Sequence, residues 1–232
     1  MIKSIFNWSG GKDSAFALFK ILSEKKYEIS CLLTSVGEEH DRISMHGVRV
    51  SLLDKQTTSI GIPLQKLVLP ESASMQVYDE AIEKYLTRFK EEGNTHCICG
   101  DIFLEDLRIY RETQLERVNM KAVFPLWKIN TKVLINDFVN LGFKSIVTCV
   151  DERYLDKSFA GRIIDENFIN DLPANVDPCG ENGEFHSFVF DGPIFSQPIS
   201  FAIGEKVYKQ YKSHAKDDET MNGFWYVDLV NN

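Results

Sequence analysis

The sequence predicts two unlike halves: an α/β half on a parallel sheet over residues 1–150 and a smaller α+β half over residues 151–232. Three observations predict this. Short apolar runs alternate with helical patterns as far as about residue 150, at the spacing of right-handed β-α-β crossovers. A glycine-rich hexapeptide, Ser9-Gly10-Gly11-Lys12-Asp13-Ser14, lies between the first run and the first helical pattern. Beyond residue 150 the chain becomes turn-rich, then strand-like and aromatic.

Taken in order, residues 2–8 read as a strand, and residues 13–25 as a helix with Phe16, Leu18, Phe19, Ile21 and Leu22 inward. Residues 29–35 form a second strand, and Val48, Leu52 and Leu53 belong to a helix stopped by Gly61. A third strand runs from Leu64 to Leu69. Ser74 caps a helix whose core face is Val77, Ala81, Ile82, Tyr85, Leu86 and Phe89, ended by Gly93. His96 to Cys99 is a fourth strand, followed by Gly100-Asp101-Ile102. Asp106 caps a polar helix, Ala122 to Phe124 is a short strand, and Thr131 caps a helix stopped by Gly142. Residues 144–150 (KSIVTCV) are the last strand of the first half. The tail, with EFHSFVFDGPIF and GFWYVDLV, reads as mainly antiparallel.

The bulk numbers exclude several classes. The 232 residues carry a formal net charge of −8 and no block of Lys or Arg, which argues against nucleic acid as a partner. Apolar runs fall short of the roughly 18 residues of a membrane span, so no membrane partner is expected. The five cysteines have no framework spacing, which fits a reducing cytoplasm. Cys97 and Cys99 alternate with Ile98 and are expected to be buried strand thiols.

The hexapeptide is placed to bind an anion. It follows the first strand of a parallel sheet and opens its first helix, where free N–H groups and the helix dipole favour phosphate. Gly10 and Gly11 let the backbone approach closely, Lys12 adds charge, and Ser9 and Ser14 add hydroxyls. Asp13 is anionic itself, so it suits a metal or the backbone donors of the loop. The spacing is neither G-x-x-x-x-G-K-[ST] nor G-x-G-x-x-G.

This pattern resembles the PP-loop of the ATP pyrophosphatases, whose signature is S-G-G-x-D-S on a HUP, or Rossmann-like, parallel sheet. Later motifs resemble the diphthine–ammonia ligase family within that superfamily: Gly100-Asp101-Ile102, LEDLRIYRE from Leu104 to Glu112, Pro125-Leu126-Trp127, and GENGEFHSFVFDGPIF from Gly180 to Phe195. The commoner family form of the last run begins E-G-G-E-Y-E. Here it is Glu181-Asn182-Gly183-Glu184-Phe185-His186, two departures that mark a divergent, bacterial-type branch.

The resemblance implies an ATP-dependent ligase. ATP adenylates the carboxylate of diphthine, a modified histidine of translation elongation factor 2. Ammonia then displaces AMP to leave diphthamide. ATP and Mg²⁺ are the implied cofactors. Ser9 through Ser14 are the expected ATP contacts, with Lys12 on the pyrophosphate and Asp13 on the metal. His46, Asp101, Arg108 and Arg111 are the expected substrate contacts, although Arg108 and Glu112, four apart, could simply pair. Glu181 and Glu184 flank a turn and are expected to handle acceptor or ammonia, one as a base if desolvated. Cys179 has no evident partner base. Phe185, Phe188 and Phe190 read as sheet core. Two other readings fit the residues: an AMP-forming ligase for a small-molecule carboxylate, and a non-catalytic nucleotide-binding module.

Overall fold

The computed structural model describes residues 1–38, 42–43, 47–70, 74–212 and 221–231. The first sheet contains β1 (Ile2–Asn7), β2 (Tyr27–Gly37), the two-residue β3 (Arg42–Ile43), β4 (Leu64–Leu69), β5 (His96–Ile98) and β6 (Lys121–Val123). Its parallel strands run in the order β4-β2-β1-β5-β6, and β3 pairs antiparallel with the far end of β2. The chain leaves β1 toward β2 and β4, then returns to the other side for β5 and β6. The order therefore reverses between β1 and β5, which opens a crevice at their carboxyl ends.

Helices α1 (Lys12–Glu24), α2 (Val50–Ile60), α3 (Met75–Glu91) and α4 (Glu105–Arg117) cover this sheet. Strand alternation divides the apolar side chains between its two faces. Phe6, Leu32 and Ile98 pack with α1 and α2 and with the second half of the chain. Ile5, Cys31, Leu33, Cys97 and Cys99 pack with Leu86 and Phe89 of α3 and Leu115 of α4. Cys97 and Cys99 are buried free thiols, as their alternation predicted. Burial pushes the Cys31 thiol up to about 11.

The second sheet is antiparallel, in the order β8 (Phe185–Asp191), β7 (Lys144–Asp151), β10 (Met221–Asn231), β9 (Phe201–Lys212). Strand β7, expected to close the first half, belongs to this sheet instead. Its run is buried on both faces, and such a run reads alike in either kind of sheet. Helix α5 (Thr131–Asn140) precedes it, and the short α6 (Glu166–Asp171), capped by Asp165, lies in the stretch read as turns.

Helix starts differ in detail from the sequence reading. Ser74 caps α3 as expected, its hydroxyl accepting from Val77 N at 3.3 Å, but Val77 is 42% exposed rather than core. Asp106 lies inside the first turn of α4, where its charge favours the helix dipole. Asn130, not Thr131, caps α5 by accepting from Lys132 N and Val133 N. Thr131 is thereby freed to bond elsewhere.

Candidate active site

Three backbone segments meet at the crevice. The first is the loop from Trp8 to Gly11 with the start of α1. Gly10 has φ +77°, a left-handed conformation that glycine adopts without strain. Its carbonyl accepts from Val189 N and from Gln56 Nε2, both at 3.0 Å. Ser9 Oγ donates to Ser14 Oγ at 3.0 Å, Ser14 Oγ donates to Gly11 O at 2.9 Å, and Gly11 N donates to Ser9 Oγ at 3.3 Å. The two serines thus brace the turn from within.

Lys12 is buried at the first position of α1. Its ammonium pairs with Asp13 Oδ2 at 2.8 Å and lies 5.1 Å from the centre of the Phe185 ring. Burial by itself lowers its pKa, but Asp13, Cys179 and Glu181 outweigh that and raise it above the usual lysine value. Burial raises the Asp13 carboxyl, against the lowering effect of Lys12.

The second segment follows β5. A Cβ on Gly100 would lie 3.1 Å from the Asp13 backbone and the Ser14 Cα, a tight contact, so glycine lets this loop back onto α1 without displacing it. Asp101 is buried, and its Oδ2 sits 2.8 Å from Arg111 Nε. The contact is an ion pair whose angles miss a hydrogen bond, for neither atom has a hydrogen-bonded partner among the described residues.

The third segment comes from the second half, residues 177–184. Asp177 organises it: Oδ1 accepts from Cys179 N at 2.9 Å and Glu181 N at 3.3 Å, and Oδ2 accepts from the Thr131 hydroxyl at 2.7 Å. Glu184 is 1% exposed and closes the same turn, accepting from Asp177 N and Asn182 N at 2.9 Å and from Asn182 Nδ2 at 3.0 Å. Asn182, one of the two departures from the family form, therefore adds a bond to the turn. Glu181 reaches across the crevice, and its Oε1 accepts from Ile102 N at 2.9 Å. Burial pushes its carboxyl up to about 7, and the Asp13 charge adds to the rise.

The structure thus brings Ser9 to Ser14, Asp101, Arg111 and Glu181 to one crevice, and sends Glu184 into its own turn. Arg108 points away, paired with Glu112 at 2.9 Å and lying over the Trp127 ring at 4.7 Å and the Phe124 ring at 5.4 Å. His46 lies outside the described residues. Burial raises the Cys179 thiol well above its ordinary pKa, with Lys12 only partly offsetting it, so the group stays protonated.

Sequence reasoning missed Asp177, Ser187 and Gln56. Ser187 Oγ accepts from Lys12 N at 3.2 Å. With Phe185 and Val189 it puts alternate residues of β8 against the loop, while His186, the second departure, alternates to the other face. An i, i+2, i+4 pattern with a lone serine was the available signal.

Among the described residues no group of three or more His, Cys, Asp or Glu is arranged to hold a metal ion. Among the described residues no helix is long and apolar enough to cross a membrane.

Comparison with known proteins agrees with this architecture. The models of the diphthamide synthase N-terminal and C-terminal domains match residues 2–122 and 130–220. A diphthine–ammonia ligase from Danio rerio is 25% identical over 224 residues, covering 86% of this chain and 86% of its own. The Homo sapiens diphthine–ammonia ligase is 26% identical, covering 86% of this chain and 82% of its own. Among solved structures, the U34-tRNA thiolase NcsA from Methanococcus maripaludis aligns over 61% of this chain and 57% of its own at 22% identity. Its TM-score is 0.37.

Proposed function

The chain belongs to the diphthamide synthase family, and from that premise we propose that it is an ATP-dependent ligase converting a carboxylate to an amide with ammonia. The acyl substrate proposed is diphthine on translation elongation factor 2. The observation that carries this reading is the loop itself. A left-handed Gly10, the first turn of α1 and the buried ammonium of Lys12 converge at the crevice where the strand order reverses.

In this reading the β,γ-pyrophosphate of ATP rests on the first-turn amides of α1 and on Lys12. Asp13 is the carboxylate placed to share Mg²⁺, which supplies charge neutralisation when bound with the nucleotide. The substrate carboxylate oxygen attacks the α-phosphorus, and the bond to pyrophosphate breaks. Ammonia then attacks the acyl carbon, a C–N bond forms, and the C–O bond to AMP breaks. Asp101 and Arg111 are the proposed contacts for the acceptor.

Ammonia is mostly ammonium at neutral pH, so the second step needs a base near the acyl carbon. Glu181, raised to about 7 by burial, matches that task. Glu184 holds the turn that aims it. The second half lies over the strand ends through Glu181 and through β8, which shields an activated acyl group from water.

The test is to incubate the protein with Mg²⁺–ATP, ammonium and diphthine-bearing elongation factor, then separate the nucleotides. AMP and pyrophosphate in step with amide are expected. AMP formed only with another carboxylate would change the acyl substrate. ADP and phosphate would reject the ligase reading.

A further inference from the structure

We propose that Gln56 is a positioning residue of the nucleotide loop, a side chain from α2 that fixes the Gly10–Gly11 peptide in the orientation that receives phosphate. The proposal rests on reading Ser9 to Ser14 as the ATP loop.

Gln56 sits in the middle of α2 with 0% exposure. Its Nε2 donates to Gly10 O at 3.0 Å and to Val189 O at 2.5 Å, and its Oε1 accepts from Trp8 Nε1 at 3.2 Å. Both amide hydrogens are used, and the three bonds tie together two segments: the loop, at Trp8 and Gly10, and β8 of the second sheet, at Val189. Packing does not require an amide here. Its neighbours Leu52 and Leu53 are core residues, and an apolar side chain of the same length would fill the space without the cost of burying a polar group.

What the amide holds is the loop. Gly10 O accepts two hydrogen bonds, from Gln56 and from Val189 N, which uses both of its lone pairs. The carbonyl of Gly10 and the N–H of Gly11 belong to one planar peptide unit and point in opposite directions. Clamping the carbonyl therefore aims the Gly11 amide. This unit lies between two glycines, and Gln56 reinforces from outside the loop the two bonds that also hold it, from Val189 N to Gly10 O at 3.0 Å and from Gly11 N to Ser9 Oγ at 3.3 Å. The fit is close, for a Cβ on Gly10 would come within 2.8 Å of Gln56 Oε1. A cradle ordered beforehand binds its anion without an ordering cost at the moment of binding.

The experiment compares ATP binding by calorimetry in the wild type, Gln56→Met, Gln56→Glu and Ser59→Ala. Ser59 lies on the same helix and also ties it to the second half, donating to Gln197 O at 2.6 Å, but it bonds neither Gly10 nor Gly11. Gln56→Met keeps the length and loses the donors, so ATP should bind about tenfold more weakly. Gln56→Glu puts an acceptor against two carbonyl oxygens and should lose at least as much. Ser59→Ala should lose stability and keep its ATP affinity within about twofold. In turnover, the KM for ATP should rise in Gln56→Met while the KM for ammonium stays unchanged. Unchanged ATP affinity in a folded Gln56→Met or Gln56→Glu protein overturns the assignment. So does failure of both variants to fold, which would make Gln56 purely structural. A wild type that binds no ATP overturns the reading of the loop itself, a result separable from the others.

Discussion

The Glu181 carboxylate accepts a hydrogen bond from the Ile102 amide at 2.9 Å, joining the turn of the second half to the loop that follows β5. This contact places a half-buried acid beside Lys12, Asp13 and Asp101. It makes the crevice a composite of both halves.

Lys12 should carry much of the triphosphate affinity. A charge-assisted hydrogen bond contributes roughly 1.5–3 kcal/mol. Lys12→Ala should therefore weaken ATP binding about tenfold or more, and it also leaves Asp13 without its partner. Calorimetric titration reads this directly, and an unchanged affinity would remove Lys12 from the nucleotide site.

Glu181 should impose two pH dependences. Its folded pKa, about 7, lies above the ordinary 4.5, so the folded state holds the proton more tightly. The stability this brings is complete below about 4.5 and is lost as pH rises through about 7. Urea unfolding at a series of pH values should show wild type losing more stability over that window than Glu181→Gln. Turnover should rise with pH through the same apparent value as the base ionises. Glu181→Gln should flatten that limb and cut turnover about 10²-fold.

Glu184 should behave differently from its neighbour. Its two oxygens accept three hydrogen bonds that close the turn. Glu184→Gln turns one acceptor into a donor facing N–H groups, a loss of about 1–3 kcal/mol. The expected result is a lower melting temperature with ATP affinity nearly intact. A variant as stable as wild type would show that the turn does not depend on this side chain.

Much of this was legible in the sequence. The strand–glycine–helix order around Ser9 to Ser14 and the glycine before Asp101 located the crevice, because both follow strands of one parallel sheet. The Gly180 to Phe195 run pointed to a second contributor. Other features were not legible, for physical reasons. Gln56 is one polar residue in an amphipathic helix, and only the tertiary fold shows that it faces inward. Asn130 and Thr131 are adjacent residues that both cap helices well, and the choice between them depended on the distant Asp177. Glu181 and Glu184 looked equivalent, yet a three-residue offset across a left-handed Gly183 turned one to the crevice and the other to the turn.

In the proposed reaction the substrate carboxylate attacks the α-phosphorus of ATP. Supplying a diphthine-bearing substrate whose carboxylate is labelled with oxygen-18, with Mg²⁺–ATP and ammonium, and weighing the released AMP tests it most directly. One labelled oxygen should appear in the phosphoryl group of AMP for each amide formed. Unlabelled AMP, or label found in inorganic phosphate beside ADP, would contradict it.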